Sequence, residues 1–168
     1  MAQTSGIFIT FEGTEGAGKS TLMREVARRL REAGHDVIET RAPGGTPVAE
    51  KIREVILGHG MNPWTELFLY EAARAEHLAT TVEPALARGA IVLCDRFTDS
   101  TLAYQAHARG LPWKDVAALN RAATRGLKPH LTVLLDLDPA EGLKRAQDPN
   151  RFEAEGVAFQ ARVRQGFL

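Results

Sequence analysis

The stretch Gly13-Thr14-Glu15-Gly16-Ala17-Gly18-Lys19-Ser20, followed by Thr21, decides the fold of this chain. It matches the phosphate-binding pattern G-x-x-x-x-G-K-[ST] at every specified position. The apolar run 7–11 before it is typical of a buried strand, and residues 21–30 after it have the spacing of an amphipathic helix. A strand, a glycine-rich loop and a helix, in this order, form the context in which the pattern binds a polyphosphate.

The residue types of this loop fit that chemistry. Glycines allow several backbone N–H groups to point at one anion, and the helix N-terminus adds a partial positive charge. Lys19 can reach the β- and γ-phosphates, and the Ser20 hydroxyl is a ligand for Mg²⁺. We therefore predict that residues 13–21 bind the phosphates of a nucleoside triphosphate with Mg²⁺ as cofactor. A glycine-rich turn with a chance lysine is the alternative, and the flanking strand and helix disfavour it.

Composition narrows the class of protein. The 168 residues suit one domain, and 44% hydrophobic with 25% charged residues is typical of a globular protein. Basic and acidic residues balance at 21 each, which disfavours nucleic acid and acidic membranes as partners. The single cysteine, Cys94, excludes an internal disulfide. No apolar stretch approaches the roughly 20 residues of a membrane helix, so we expect a cytoplasmic protein.

The pattern of apolar runs predicts an α/β fold, a doubly wound parallel β-sheet flanked by helices. Four runs are typical of buried parallel strands, at residues 7–11, 37–40, 91–94 and 131–137. Helices are predicted over about 19–33, 48–57, 63–87 with a possible break at Pro84, 112–124 and 139–146, and residues 152–168 have roughly helical spacing. Nothing after Leu137 is typical of a strand, so we expect a sheet with an exposed edge and a chain without a further C-terminal strand and helix.

Two further clusters should lie beside the loop. Asp95 and Arg96 directly follow the third predicted strand, and ligands of open α/β sheets bind at the carboxyl ends of strands. Asp95 can hold Mg²⁺ with Ser20, and Arg96 can bind a phosphate through two hydrogen bonds. Arg41 ends the second strand, before the turn Pro43-Gly44-Gly45. The alternatives are a helix-capping aspartate, a surface arginine and an ordinary turn.

The motifs together resemble those of thymidylate kinase. They are Phe11-Glu12-Gly13 through Thr21, Thr40-Arg41-Ala42-Pro43-Gly44-Gly45-Thr46, Asp95-Arg96-Phe97 and Ser100-Thr101-Leu102-Ala103-Tyr104-Gln105, in the family's order and spacing. Gly142-Leu143-Lys144-Arg145 and Arg151-Phe152-Glu153 resemble the family's lid. The resemblance covers essentially the whole chain.

This resemblance implies a P-loop nucleoside monophosphate kinase fold in a single domain over 1–168, with a core at 1–140, a lid at about 141–155 and a helix at about 155–168. It implies transfer of the γ-phosphoryl group of ATP to dTMP, giving dTDP, with Mg²⁺ and usually as a homodimer. It assigns catalytic roles to Glu15, Lys19, Asp95, Arg96 and Arg151. The acceptor dTMP would be bound by Glu15, Arg41, Arg53, Tyr70, Arg74, Arg96, Ser100, Thr101, Tyr104 and Gln105.

The resemblance also gives individual roles within the acceptor site. Arg53 and Arg96 would contact the monophosphate, and Arg74 the thymine edge. Tyr70 would stack on the thymine ring and Tyr104 would crowd the sugar 2′ position. Thr101 and Gln105 would flank the base.

Two departures from the family pattern concern charge. Some family members carry an arginine in the phosphate loop where this chain has Gly16, so the lid should supply the positive charge near the ATP phosphates. Arg145 and Arg151 are the candidates, and the Arg-Phe-Glu pattern favours Arg151; residues 147–150 are expected to form a turn-rich hinge. The other departure is Ala42, where the family usually has glutamate, which weakens the assignment of Arg41.

Two other functions remain open at this point. A P-loop kinase of a different nucleotide would share the phosphate loop, although the groups Tyr70/Arg74 and Thr101/Tyr104/Gln105 argue against it. An NTPase switch would be expected to carry an Asn-Lys-x-Asp motif, which the sequence lacks.

Overall fold

A parallel four-stranded sheet lies at the centre of the computed structural model, which describes residues 6–145 and 151–168 apart from the Glu153 side chain. The strands are β1 (Ile7–Glu12), β2 (Val37–Arg41), β3 (Ile91–Asp95) and β4 (Leu131–Leu134), in the order β2-β3-β1-β4. Phe11 of β1 is in register with Asp95 of β3, so the two carboxyl ends meet. The predicted α/β class and the four strands are confirmed.

Helices surround this sheet. They are α1 (Lys19–Glu32), α2 (Pro47–Gly58), α3 (Pro63–His77), α4 (Glu83–Ala87), α5 (Thr98–Thr101), α6 (Trp113–Thr124), α7 (Pro139–Arg145), α8 (Arg151–Ala154) and α9 (Gly156–Phe167), with π-helical segments at Leu78–Val82 and Leu102–Ala108. The predicted helix over 63–87 passes from α-helix into the π-helical segment Leu78–Val82, so its interruption precedes Pro84. The helical stretch that begins at Thr98 was not predicted, and the predicted hinge at 147–150 lies outside the described residues.

Side chains of the central strands alternate between two cores. Phe8 and Val92 face one side, where Leu78, Val82 and Leu86 pack on them. Phe11, Ile91 and Leu93 face the other side, against Met23 and Ala27 of α1. This two-sided burial is expected of a parallel sheet covered by helices on both faces. It fixes the carboxyl ends of β1 and β3, from which the functional loops emerge.

Strand β4 is shorter and more exposed than predicted. It ends at Leu134 rather than near residue 137, and Leu131 is 53% exposed. The reason is its position, because β4 forms one edge of the sheet and pairs with β1 alone in the described part of the chain. Among residues 6–145 and 151–168, no helix is long and apolar enough to span a membrane.

Candidate active site

The glycine-rich loop joins β1 to α1 and holds its lysine against itself. Lys19 is buried, and its Nζ donates to the carbonyl oxygens of Thr14 at 2.8 Å and Gly13 at 3.2 Å. Burial, reinforced by the nearby Arg96 charge, lowers the pKa of Lys19 to about 8. Gly18 adopts a left-handed conformation with φ 91°, which L-residues with a side chain rarely take.

Ser20 and Asp95 meet at the open side of the loop. The Ser20 hydroxyl donates to Asp95 Oδ2 at 2.7 Å. The second carboxylate oxygen, Oδ1, is buried and has no hydrogen-bond partner among the described residues. An unpartnered buried carboxylate oxygen next to a hydroxyl suits a hard cation such as Mg²⁺.

Arg96 connects the loop to the neighbouring pocket. It adopts the left-handed conformation with φ 71°, and its Nη1 donates to Gly13 O at 2.8 Å while Nη2 pairs with Glu15 Oε1 at 2.6 Å. The Tyr104 hydroxyl donates to the same Glu15 oxygen at 3.1 Å. Burial pushes the pKa of Glu15 upward, but the charges of Arg96 and Lys19 bring it below its ordinary value. Glu15 is therefore a carboxylate shared by the phosphate loop and the pocket.

A compact pocket opens beside Glu15, between the cis-peptide turn Ala42–Pro43 and helix α3. Arg53 is held at its rim, where Nη1 donates to Pro43 O at 3.1 Å. On the far side Arg74, 2% exposed, pairs with Glu71 and donates to the Thr101 hydroxyl. Most of the predicted acceptor residues line this pocket, namely Glu15, Arg53, Tyr70, Arg74, Arg96, Ser100, Thr101, Tyr104 and Gln105.

Arg74 brings an unused donor to the pocket. Its Nη1 is buried and has no hydrogen-bond partner in the described part of the chain. A buried N–H group without an acceptor costs about 1–3 kcal/mol. Arg74 also lines the pocket, so a ligand acceptor that reached its guanidinium would relieve this cost.

The two predicted lid arginines lie in different places. Arg145, in the last turn of α7, lines the same cleft as the glycine-rich loop. Arg151 does not reach that cleft, because its guanidinium donates to Ile56 O at 2.5 Å and pairs with Glu66 Oε2 at 2.6 Å. In this structure the preferred candidate is therefore held away from the phosphate loop, and the other candidate lies beside it.

Comparisons with known proteins agree on one family. The family model described as Thymidylate kinase matches residues 11–168. The chain belongs to the thymidylate kinase family. It is 52% identical to the thymidylate kinase of Geotalea uraniireducens (strain Rf4), over 97% of this chain and 82% of that protein. The thymidylate kinase of Pseudomonas fluorescens (strain Pf0-1) is 55% identical, over 98% of this chain and 81% of that protein.

A solved structure extends the agreement to the fold. The crystal structure of thymidylate kinase from Ehrlichia chaffeensis is 34% identical and superposes with a TM-score of 0.80, over 96% of this chain and 82% of that chain. The P-loop kinase fold and the family predicted from the motifs are confirmed, and thymidylate kinase is an ATP-dependent phosphotransferase.

Arg41, which directly precedes Ala42, takes its ion-pair partner from helix α2. Arg41 Nη2 pairs with Glu50 Oε2 at 2.8 Å, and Glu50 Oε1 accepts from Gly45 N at 2.9 Å. Glu50 of α2 thus holds both the arginine and the turn. Arg41 lines the phosphate cleft, together with Glu15, Arg53 and Arg96, and does not line the pocket around Tyr70.

Gly16 has no room for a side chain, so the arginine considered for this position from the sequence could not be accommodated without a backbone shift. A Cβ atom at Gly16 would lie 2.0 Å from Gly142 O, and φ is +70°. The approach is equally close from the other side, because a Cβ atom at Gly142 would lie 2.3 Å from Glu15 O. The two glycines let α7 pack directly on the phosphate loop, which brings Arg145 to the cleft.

Sequence reasoning missed two buried carboxylates near this site. Glu12 accepts from Phe97 N at 2.7 Å and from the Ser100 hydroxyl at 2.5 Å, and burial raises its pKa to about 6. Glu66 of α3 is 1% exposed and pairs with Arg151. The spacing of Glu66, Tyr70 and Arg74 on one helix was the available signal, because residues four apart share a face.

Proposed function

We propose that this chain transfers the γ-phosphoryl group of ATP to the 5′-phosphate of dTMP, giving dTDP and ADP, with the residues of the two adjoining pockets in the roles given below. The observation that carries the proposal is the junction at Glu15 and Arg96, where a phosphate loop meets a pocket bearing Tyr70 and the unpartnered donor of Arg74. Such a junction supports binding of a phosphate donor and an aromatic-stacking acceptor end to end.

The donor phosphates are assigned to residues 13–21. Loop N–H groups and the α1 N-terminus attract the anion, and the Lys19 ammonium exchanges its loop carbonyls for phosphate oxygens. A bound polyphosphate stabilises the charged form of Lys19, which offsets the burial that lowers its pKa.

Mg²⁺ is assigned to Ser20 and Asp95. When bound, this ion would neutralise charge on the transferred phosphoryl group. The Ser20 hydroxyl and the free Oδ1 of Asp95 are the oxygen atoms the protein contributes. Two protein ligands suffice, because Mg²⁺ in such sites usually takes further oxygens from phosphates and water.

The acceptor monophosphate is assigned to the arginines at the junction. Arg96 faces both Gly13 and Glu15, and Arg53 lies at the rim between the two pockets. A planar guanidinium binds a phosphate through paired hydrogen bonds. Arg41, held by Glu50, adds positive charge on the phosphate-cleft side.

The thymine base is assigned to the inner end of the pocket. Tyr70 offers a ring face, Arg74 Nη1 offers a donor to a base carbonyl, and Thr101 and Gln105 complete the base edge. Ser100 and Tyr104 lie nearer to Glu15, on the side expected for the sugar. A pocket built to hydrogen-bond one edge discriminates strongly against a base that leaves its buried groups unpaired.

The chemistry then rests on position and charge rather than on a protein base. Transfer between two phosphates brings many negative oxygens together, and Lys19, Mg²⁺ and the arginines counter them. Arg145, which lines the cleft from α7, is assigned to the donor phosphates ahead of Arg151.

We also propose a homodimer. Helices α2 and α3 pack together and expose apolar side chains, with Val55 44%, Trp64 36% and Phe68 54% exposed. A second copy would bury such a face. Light scattering should give twice the chain mass of 18.4 kDa, and Phe68→Lys should halve it; a monomeric wild type would reject the dimer.

The direct test is product formation by the purified chain. With Mg²⁺, ATP and dTMP, equal amounts of dTDP and ADP should appear, and chelation of Mg²⁺ should stop the reaction. Lys19→Ala should lower kcat at least about a hundredfold, because a donor to transition-state charge is worth about 3 kcal/mol. Near-normal turnover in folded Lys19→Ala would remove the phosphate loop from the mechanism.

A further inference from the structure

A buried carboxylate on α3 stands behind the base end of the acceptor pocket. Glu66, 1% exposed, accepts a hydrogen bond from Gln105 Nε2 at 2.8 Å. It pairs with Arg151 at 2.6 Å and with Arg109 at 3.4 Å. Two arginines on one buried carboxylate keep its charge compensated, so Glu66 is anchored independently of Gln105.

The contact between Glu66 and Gln105 fixes which way the amide of Gln105 points. A carboxylate only accepts hydrogen bonds, so the amide NH₂ of Gln105 must face it. The carbonyl oxygen of that amide then lies on the other side of the planar group. Gln105 is 1% exposed and lines the acceptor pocket, and no other hydrogen bond of the described residues uses its amide oxygen.

We propose that Glu66 is a positioning residue that orients Gln105 with its carbonyl oxygen toward the acceptor pocket, and so selects a pyrimidine whose facing edge carries an N–H donor. This inference rests on the proposed function, because it takes the pocket as the base site. Glu66 acts through Gln105 and does not itself contact the base.

The neighbouring Arg74 adds a second hydrogen-bonding group that distinguishes one pyrimidine edge from another. Its unpartnered Nη1 offers a donor, and Gln105 offers an acceptor, within one pocket. Thymine and uracil present a carbonyl next to an N3–H group, which matches this pair. Cytosine presents an amino group next to an unprotonated N3, which reverses both positions and leaves buried groups unpaired.

The test compares three acceptors in Glu66→Gln. A glutamine at position 66 can donate as well as accept, so it no longer dictates the orientation of the Gln105 amide. The ratio of kcat/KM for dTMP to that for dCMP should fall about tenfold or more, the value of one oriented hydrogen bond. The ratio of dTMP to dUMP should stay unchanged, because these bases share the same edge and differ by a methyl group.

This pattern separates positioning from general damage. A loosened pocket or a displaced Arg151 would lower kcat/KM for all acceptors together and leave the dCMP ratio where it was. Arg109→Gln is the matched control, since it removes an ion-pair partner of Glu66 but keeps the contact with Gln105. Its dTMP to dCMP ratio should equal that of the wild type.

Two results would overturn the inference. One is an unchanged dTMP to dCMP ratio in folded Glu66→Gln. If that variant does not fold, Gln105→Met replaces the amide by an apolar group of similar length, and a retained ratio in that variant is the other. Should the wild type itself show no preference for dTMP over dCMP, the proposed function fails rather than the role of Glu66.

Discussion

Glu12 shows how a single buried carboxylate organises this site. It lies at the end of β1 and accepts hydrogen bonds from Phe97 N and the Ser100 hydroxyl. Both donors lie in the segment that directly follows Arg96. Arg96 has left-handed backbone geometry there, at φ 71°. Glu12 therefore holds in place the segment that carries an arginine shared by both pockets.

The raised pKa of Glu12 predicts a pH-dependent contribution to stability. Burial raises this pKa from 4.5 to about 6, so the folded state binds the proton more tightly than the unfolded state between these values. The free energy of unfolding of the wild type, relative to Glu12→Gln, should fall by about 2 kcal/mol between pH 4 and pH 8. Urea unfolding at several pH values measures this difference, and a flat or rising difference would contradict the burial argument.

At the scale of single residues, the sequence predicts which side chains can bind phosphate or Mg²⁺ better than it predicts which side chains contact one another. The phosphate loop and the pair Ser20/Asp95 could be placed because both follow strands whose ends meet. Glu12 and Glu66 could not be recognised, because a charged residue is normally exposed and its burial depends on contacts distant in the chain. The contact of Arg151 with Glu66 could not be recognised for the same reason, since Glu66 lies on another helix.

Helix α7 is the element that sets the donor side of the cleft. The paired glycines Gly16 and Gly142 allow backbone-to-backbone contact between the phosphate loop and α7. Arg145 lies at the end of this helix and faces the cleft, whereas Arg151 of α8 is held by Glu66. The contact also explains why position 16 of this chain requires glycine.

This placement predicts an order of importance for the two arginines. Arg145→Ala should lower kcat roughly tenfold to a hundredfold, as expected for one charged hydrogen bond to phosphate. Arg151→Ala should lower the melting temperature more than Arg145→Ala does, because it leaves the buried Glu66 with fewer partners. Its kcat should fall less than that of Arg145→Ala. Steady-state kinetics and thermal unfolding of both variants measure this, and a larger loss of kcat in Arg151→Ala would restore that residue to the phosphate site.

Helix boundaries could be predicted from the sequence where proline and a capping side chain mark the first turn. Pro47 and Pro63 open α2 and α3, and the side chains of Thr46 and Asn62 cap them. The helical stretch from Thr98 escaped prediction, because it passes from α-helix into a π-helical segment that breaks the 3.6-residue period. That segment presents Tyr104 and Gln105 to the acceptor pocket.

For the whole molecule, the order of motifs was sufficient to predict the architecture. A parallel sheet gathers the carboxyl ends of its strands at one edge, so motifs distant in sequence had to converge there. The π-helical segments and the partners of Glu66 required three-dimensional contacts. The edge position of β4 could not be assigned to that particular strand from its apolar sequence.

The most direct test of the central claim is acceptor preference. Purified protein with Mg²⁺ and ATP should be assayed against dTMP, dUMP, dCMP and UMP, with kcat/KM measured for each. Our account predicts that dTMP is the best acceptor, followed by dUMP, with dCMP lower by several orders of magnitude because its base edge is reversed. Equal kcat/KM values across the four nucleotides, or a preference for dCMP, would contradict it.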